Sequence, residues 1–287
     1  MKMLVTGATG QLGSHIVETL LKTVPAEQLA VSVRNPAKAE ALKARGVDVR
    51  HGDFDRPDTL DAAFAGVDRL LIVSADGDNE ARMRQHGHAV AAAERAKVGF
   101  IAYTSVSNAA KSSLNLAPVH RFTEEAVRKT GIPYAFLRNN WYLENETGSI
   151  QGAMAGAPWI TSAGDGKVGW APRRDYAEAA AAVLAGEGHE NATYELSGEP
   201  LTQEAFAAAL GGVLGKEVPV RHVDDAAYAD MMKGAGVPEF VIPLLVGFQA
   251  GIREGALDIA SGDLERLLGR PATPIAEGLQ QLVANLA

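Results

Sequence analysis

"MLVTGATGQLGSH", residues 3–15, decides the architecture. A short apolar run, Met3–Thr6, breaks at once into a turn with glycines at 7, 10 and 13, and a helical pattern opens at Gln11. Strand, glycine turn and helix in this order form the phosphate-binding start of a dinucleotide site. Glycines let the backbone turn sharply and approach a pyrophosphate, whose charge is favoured at a helix N-terminus. The spacing is G-x-x-G-x-x-G, one residue off the common G-x-G-x-x-G. Its specificity therefore comes from the strand before it and the helix after it. A tight β–α turn packed for its own sake is the alternative.

Working outward, β-branched and apolar runs alternate with amphipathic stretches. The predicted strands are Met3–Thr6, Leu29–Arg34, Val47–His51, Arg69–Ser74, Phe100–Ser105 and Tyr134–Arg138. The predicted helices between them are Gln11–Leu21, Ala37–Ala44, Thr59–Phe64, Glu80–Ala96 and Val119–Lys129. Continuous apolar strands imply a parallel sheet covered on both faces, and strand–helix alternation implies right-handed βαβ units. The fold class is α/β, a doubly wound Rossmann-type parallel sheet. After Asn140 the pattern loosens. The helix of "RRDYAEAAAAVLAGEG" and the strand of "ATYELSG" return to the sheet, and from Leu201 helices dominate, with Thr202 as N-cap of Gln203–Val213. The expected division is a dinucleotide-binding domain over 1–150, completed by 160–200, and a smaller, mostly helical C-terminal substrate lobe over 201–287.

Composition narrows the functions. The 287 residues carry a net charge of −8, and no run of Lys or Arg stands out, so the footprint of sequence-independent nucleic-acid binding is missing. Cysteine is absent, which excludes disulfides, thiolate nucleophiles and Cys-ligated metals. The start reads as a core strand rather than a signal peptide, and no apolar stretch approaches a membrane span. A cytoplasmic protein without membrane or nucleic-acid partners is the expectation.

The carboxyl ends of parallel strands are where such sheets bind ligands, and the residues there suit a dinucleotide. An acidic residue at the end of the second strand would grip the ribose diol of NAD. Arg34 instead offers a guanidinium fork to a 2′-phosphate, which points to NADP(H). A solvated surface arginine is the alternative. Asp53 with Phe54, ending the third strand, suits an adenine, although this stretch also offers capping carboxylates. Ser74, Ala75 and Asp76 follow the fourth strand, where the chain passes the adenosine ribose. His86 and His88 lie two apart on a helix and read as ordinary helix residues rather than a metal pair. "GDFDRPD" has no EF-hand spacing, and Ser105 and Ser107 lie in no nucleophile elbow. No metal is expected.

With G-A-T-G-Q-L-G, Arg34-Asn35-Pro36, "FIAYTS" and "LRNNWYLEN" in this order, the chain resembles the NmrA-like atypical short-chain dehydrogenases. Within them it is most similar to the bacterial type-2 NAD(P)H:quinone oxidoreductases, with triphenylmethane reductases as near relatives. The likeness extends through "SAGDGKVGWAPRRDYAEAAA", "GHENATYELSG" and "DLERLLGRPATPIAEGL". It implies that Gly7, Ala8, Thr9, Gly10, Gln11 and Leu12 line the pyrophosphate and Arg34 the 2′-phosphate. Asn139, Asn140, Trp141, Tyr142, Leu143 and Glu144 would border the nicotinamide. A glycine more often stands at the place of Asn140, and a threonine at that of Pro172, so the pocket and one cofactor contact differ here.

Ordinary short-chain dehydrogenases use Tyr-x-x-x-Lys on the helix after the fifth strand. Here that helix reads "PVHRFTEEAVRK" and offers His120 and Glu124 one turn apart, so that Glu124 would polarise His120. A packing or capping histidine is the alternative. Reducing a ketone creates a poorly stabilised alkoxide and needs a positioned acid, whereas reducing a quinone creates an oxyanion spread over a ring. The expected activity is NADPH-dependent hydride transfer to a small aromatic acceptor, a quinone first, with water protonating the product and His120 or Tyr103 assisting. Trp141, Tyr142 and Tyr103 would stack a flat acceptor or simply pack. Two alternatives stay open: reduction of a triphenylmethane or azo dye, and a non-catalytic NADP(H)-binding redox sensor. Monomer and homodimer are both compatible with the sequence.

Overall fold

The structure, a computed structural model, describes residues 1–286. In chain order, β1 (Met3–Thr6) runs into α1 (Gln11–Leu20), followed by β2 (Leu29–Val33), α2 (Glu40–Ala44), β3 (Asp48–His51) and α3 (Asp58–Phe64). The chain continues through β4 (Arg69–Ile72), α4 (Asn79–Arg95), β5 (Phe100–Val106), α5 (Ala117–Lys129) and β6 (Tyr134–Asn139). Next come β7 (Trp141–Tyr142), α6 (Thr147–Met154), β8 (Trp159–Thr161), β9 (Trp170–Ala171), α7 (Arg173–Ala185) and β10 (Ala192–Leu196). The last stretch holds α8 (Gln203–Leu214), β11 (Val220–His222), α9 (Asp225–Gly234), α10 (Ile242–Arg253), α11 (Asp263–Leu268) and α12 (Ile275–Leu286).

The main sheet has seven strands in the order β3-β2-β1-β4-β5-β6-β10, and every pairing is parallel. Strand order reverses between β1 and β4, which opens the crevice where doubly wound sheets bind ligands. All residues of β1, β2, β4 and β5 are buried, as strands covered on both faces must be. The period of two then sorts them. Met3 and Val5 join α1 and α7 on one face through Ile16, Val17, Tyr176 and Ala180, while Leu4 joins Leu60, Phe64 and Ala89 on the other. Each such Leu, Ile or Phe contributes about 1.5–3 kcal/mol by leaving water.

A third apolar cluster forms the lobe. It draws Leu143, Ile150, Trp159 and Trp170 from the stretch after β6, and Phe206, Leu210 and Leu279 from the C-terminal helices with Leu257 from the turn after α10. The Phe206 ring lies between those of Trp159 and Trp170, with centroids 4.9 and 4.4 Å away. The short parallel pair β8–β11 stitches the two stretches together, and a second, β7–β9, closes the first stretch on itself. Thr202 caps α8, accepting from the Ala205 amide at 3.2 Å, and Gly215 ends it at φ +66°. The expected helix over 37–44 is split. Asn35 accepts the Ala37 amide, a 3₁₀ turn covers Pro36–Ala39, and α2 begins only at Glu40. Among the described residues no helix is long and apolar enough to cross a membrane.

Candidate functional site

The glycine turn is built for close approach. Gly7 sits at φ +62°, donates to Ser32 O at 3.2 Å and accepts from the Gly10 amide at 2.9 Å. Gly10 is the N-cap of α1, with no side chain capping the helix and no acidic residue in its first turn. The amides at this end therefore lack a carboxylate partner and point where an anion is favoured. A methyl group on Gly13 would stand 2.2 Å from Gly7 O, so only glycine lets α1 lie against its own entry turn. Arg34, at the end of the neighbouring β2, is exposed. Beneath the turn, the buried Ser32 Oγ has no partner, and a methyl group on Gly52 would lie 2.1 Å from it. A left-handed glycine, an uncapped helix start, an exposed cation one strand away and an orphaned hydroxyl fit a dinucleotide with an extra phosphate.

Three strand ends are tied together at this edge. Val73 N donates to Thr6 Oγ1 and Ser74 N to Thr104 Oγ1, each at 2.9 Å, joining the ends of β1, β4 and β5. A methyl group on Gly7 would rest 3.6 Å from Val73 Cβ, so the turn and the segment after β4 face one crevice. Ala75 N donates to His86 Nε2 at 2.9 Å, and Asp76 is exposed. Asp53 closes a turn of its own, Oδ1 accepting from the Asp55 amide at 3.0 Å, while its amide donates to Thr59 Oγ1 at 2.9 Å. Phe54 packs its ring partly on the core, and its carbonyl accepts from His88 Nδ1 at 2.7 Å. Asp55 beside them titrates below the usual carboxylate range. Its hydrogen bond from Arg84 is the main cause and the Arg34 charge a minor one.

The stretch after β6 divides its labour. Asn139 Nδ2 donates to Tyr142 Oη at 2.9 Å, and its buried Oδ1 has no partner. Asn140 Nδ2 is taken by Ser197 Oγ and Leu257 O, each at 3.0 Å, so that side chain holds the lobe to the sheet. Trp141 sets its ring edge-on to Phe248 of α10 at 4.8 Å and donates Nε1 to Glu146 Oε1 at 2.9 Å, which Trp170 Nε1 also reaches at 3.0 Å. Burial raises Glu146 above the usual carboxylate range, against the pull of the two indoles. Leu143 is buried in the lobe. Both Glu144 oxygens accept from Arg173 N, at 3.0 and 2.9 Å, supplying α7 with the cap that Pro172 cannot give.

The pairing of His120 with Glu124 expected from their spacing is not formed. Glu124 accepts from Arg138 at 2.9 and 2.7 Å, from Ser105 at 2.7 Å and from Arg128 at 3.3 Å. His120 turns to Arg82 and Tyr103 instead. Arg82 Nη2 lies 3.2 Å from His120 Nε2, and His120 Nδ1 lies 2.8 Å from Tyr103 Oη. A guanidinium only donates, so Nε2 carries the lone pair and Nδ1 carries the proton given to Tyr103. Burial and the Arg82 charge hold His120 well below its ordinary range, and burial pushes Tyr103 up. His86, fully buried, completes the cluster. Thr123 Oγ1 gives its proton to Val119 O at 2.8 Å, so it accepts from His86 Nδ1 at 2.8 Å, and Nε2 accepts the Ala75 amide. Burial, then Arg82, pushes His86 down to about 3. Sequence reasoning missed Arg82 and His86. Their spacing of four on α4 was the available signal, since it puts both on one face.

A family model described as NmrA-like family matches residues 1–247. The chain belongs to the NmrA-like family. This NmrA-like chain is 42% identical over 279 residues to quinone oxidoreductase 2 of Escherichia coli (strain K12), covering 97% of each protein. Its fold is similar to that of an NADPH-dependent quinone oxidoreductase of Escherichia coli complexed with NADPH. The TM-score there is 0.94 at 41% identity, over 98% of this chain and 99% of that one. It is equally similar to the Citrobacter sp. triphenylmethane reductase complexed with NADP(H), with TM-score 0.94 and 41% identity over 98% and 100% of the two chains.

Proposed function

We propose that this NmrA-like protein is an NADPH-dependent reductase that passes hydride to a small aromatic acceptor, with quinones as the preferred class. The observation that carries the reading is the uncapped start of α1 behind the left-handed Gly7, with the exposed Arg34 one strand away. The turn from Gly7 to Leu12 holds the pyrophosphate, and Arg34 engages the 2′-phosphate through charge-assisted hydrogen bonds. Bound NADPH supplies the hydride.

The protein's own groups then bind and orient the acceptor. Trp141, braced by Glu146 and Phe248, presents aromatic surface beside the end of β6. His120, neutral and locked between Arg82 and Tyr103, holds its neighbours in place and keeps its one proton on Tyr103. Protonation of the reduced acceptor falls to water, which suffices when the charge is spread over a ring. Alignment of the reacting atoms carries most of the rate.

A second reading, reduction of a triphenylmethane dye, is favoured by the 41% identity to the Citrobacter sp. enzyme. Steady-state assays with NADPH and NADH against a panel of quinones and dyes test both. Quinone turnover with NADPH is expected, and no turnover of any quinone ends the first reading.

A further inference from the structure

We propose that Arg82 selects the acceptor: its guanidinium meets the oxygen on which negative charge collects when a quinone takes a hydride, and it works against acceptors that are cations. The inference rests on the reductase reading above and names the chemistry of that site.

Arg82 differs from the other arginines drawn into this protein in what holds it. Arg138 is paired with Glu124 and Glu195 and Arg50 with Asp48, while Arg69 and Arg121, which also lack a carboxylate partner among the described residues, give their hydrogen bonds to backbone carbonyls. Arg82 has two neutral partners, Ser74 Oγ at 2.9 Å and His120 Nε2 at 3.2 Å, and its Nε is buried with no partner. Asp76, whose charge it feels, is exposed and forms no ion pair with it. Burial accordingly lowers the Arg82 pKa. A partly desolvated cation without a counter-charge is costly to keep, and an anion beside it relieves that cost.

Its position supplies the anion's identity. Ser74 lies two residues past the end of β4, at the crevice that the Gly7 turn also faces, so the guanidinium stands at the strand ends rather than on the outer surface. It is held from behind: Tyr103, inside β5, fixes His120, and His120 fixes Arg82. The helix that in ordinary short-chain dehydrogenases delivers an acidic tyrosine here delivers a neutral base, which orients a cation arriving from α4.

The charge balance separates two acceptor classes. A neutral quinone takes the hydride as one hydrogen and an electron pair, NADPH being oxidised to NADP+. It becomes a hydroquinone monoanion, and a proton from water completes the hydroquinone. Arg82 stabilises the monoanion as it forms. A triphenylmethane dye begins as a cation and ends as a neutral leuco compound, so Arg82 repels the reactant and has no product charge to stabilise.

The test compares wild type with Arg82→Leu and Arg82→Lys. Loss of one preorganised donor should lower kcat/KM for a benzoquinone about 10²–10³-fold in the leucine variant. The crystal violet rate should hold or rise, and lysine should restore part of the quinone rate. A readout without turnover uses p-nitrophenol as product mimic on the NADP+-loaded protein. Wild type should make the bound phenol about tenfold or more stronger as an acid, and Arg82→Leu should abolish that shift. Arg82→Lys, which keeps the charge, covers the case in which the leucine variant does not fold. Identical nitrophenol titrations in wild type and the charge-removed variant overturn the proposal. So does an equal loss of quinone and dye rates together with NADPH affinity. If wild type reduces no quinone, the reductase reading fails on its own, and the nitrophenol titration still decides the role of Arg82.

Discussion

Glu124 takes the Arg138 guanidinium on both of its oxygens, at 2.9 and 2.7 Å, and leaves His120, one helical turn earlier, to Arg82. Two side chains on one face of α5 thus serve separate ends. Glu124 binds the end of β6, while His120 faces the crevice through Arg82.

Removing the Glu124 carboxylate leaves the half-buried Arg138 guanidinium with Glu195 alone. Glu124→Ala should destabilise the fold by less than the about 3–5 kcal/mol that a fully unpaired buried charge costs. The urea midpoint would fall accordingly, whereas NADPH affinity of the folded protein, measured by calorimetry, should stay within about twofold. A loss of affinity without a loss of stability would place Glu124 in the site instead.

Acid should weaken the protein through its buried histidines. His86 is held at about 3 and His120 well below its ordinary range, both by burial first. Their unfolded forms take up protons below about pH 6.5 while the folded forms do not. The unfolded state then binds more protons, so stability falls with falling pH across that window, by up to about 1.4 kcal/mol per histidine per pH unit. Urea midpoints at pH 7.5 and 5.5 should show the drop, and equal midpoints would count against neutral buried imidazoles.

Arg34→Ala should separate the two pyridine nucleotides. A charge-assisted hydrogen bond is worth about 1.5–3 kcal/mol, or roughly 10–100-fold in affinity. Calorimetry should show NADPH binding weakened by that factor and NADH binding nearly unchanged. Equal weakening of both would move the 2′-phosphate contact elsewhere.

Gly13→Ala drives a methyl group toward Gly7 O at 2.2 Å, whereas on Gly10 the same atom lies 3.2 Å away. Overpacking of the first kind costs about 1–3 kcal/mol and pushes α1 off its turn. The melting temperature and the nucleotide affinity should fall together in Gly13→Ala, and far less in Gly10→Ala.

The centre of the sheet was legible because β1, β2, β4 and β5 are buried on both faces and read as largely apolar runs, "MLVT" and "FIAYTSV" among them. Thr202 showed its cap by residue type, and the Gly7 turn showed its use by context. The site's polar interior was hidden. His86 stands two residues from His88 on a polar helix, and nothing local says that only His86 is buried against Thr123. The spacing of His120 and Glu124 suggested a partnership that β6 overrode, because Arg138 reaches up from the strand to Glu124 on the helix that covers it. Charges choose partners in three dimensions, and periodicity along one helix cannot rank them.

Asn140 has a mechanical consequence. Its amide holds Leu196 O at 2.8 Å, and its side chain clasps Ser197 and Leu257 where the chain first leaves the sheet. The bonds to Leu196 and Ser197 stay at the sheet edge, and the bond to Leu257 O ties in the lobe, so swinging the lobe about this point would break it and leave a buried carbonyl bare. The joint is a rivet rather than a hinge. The turn between α9 and α10 lies outside this clasp and carries Phe240, 86% exposed to solvent.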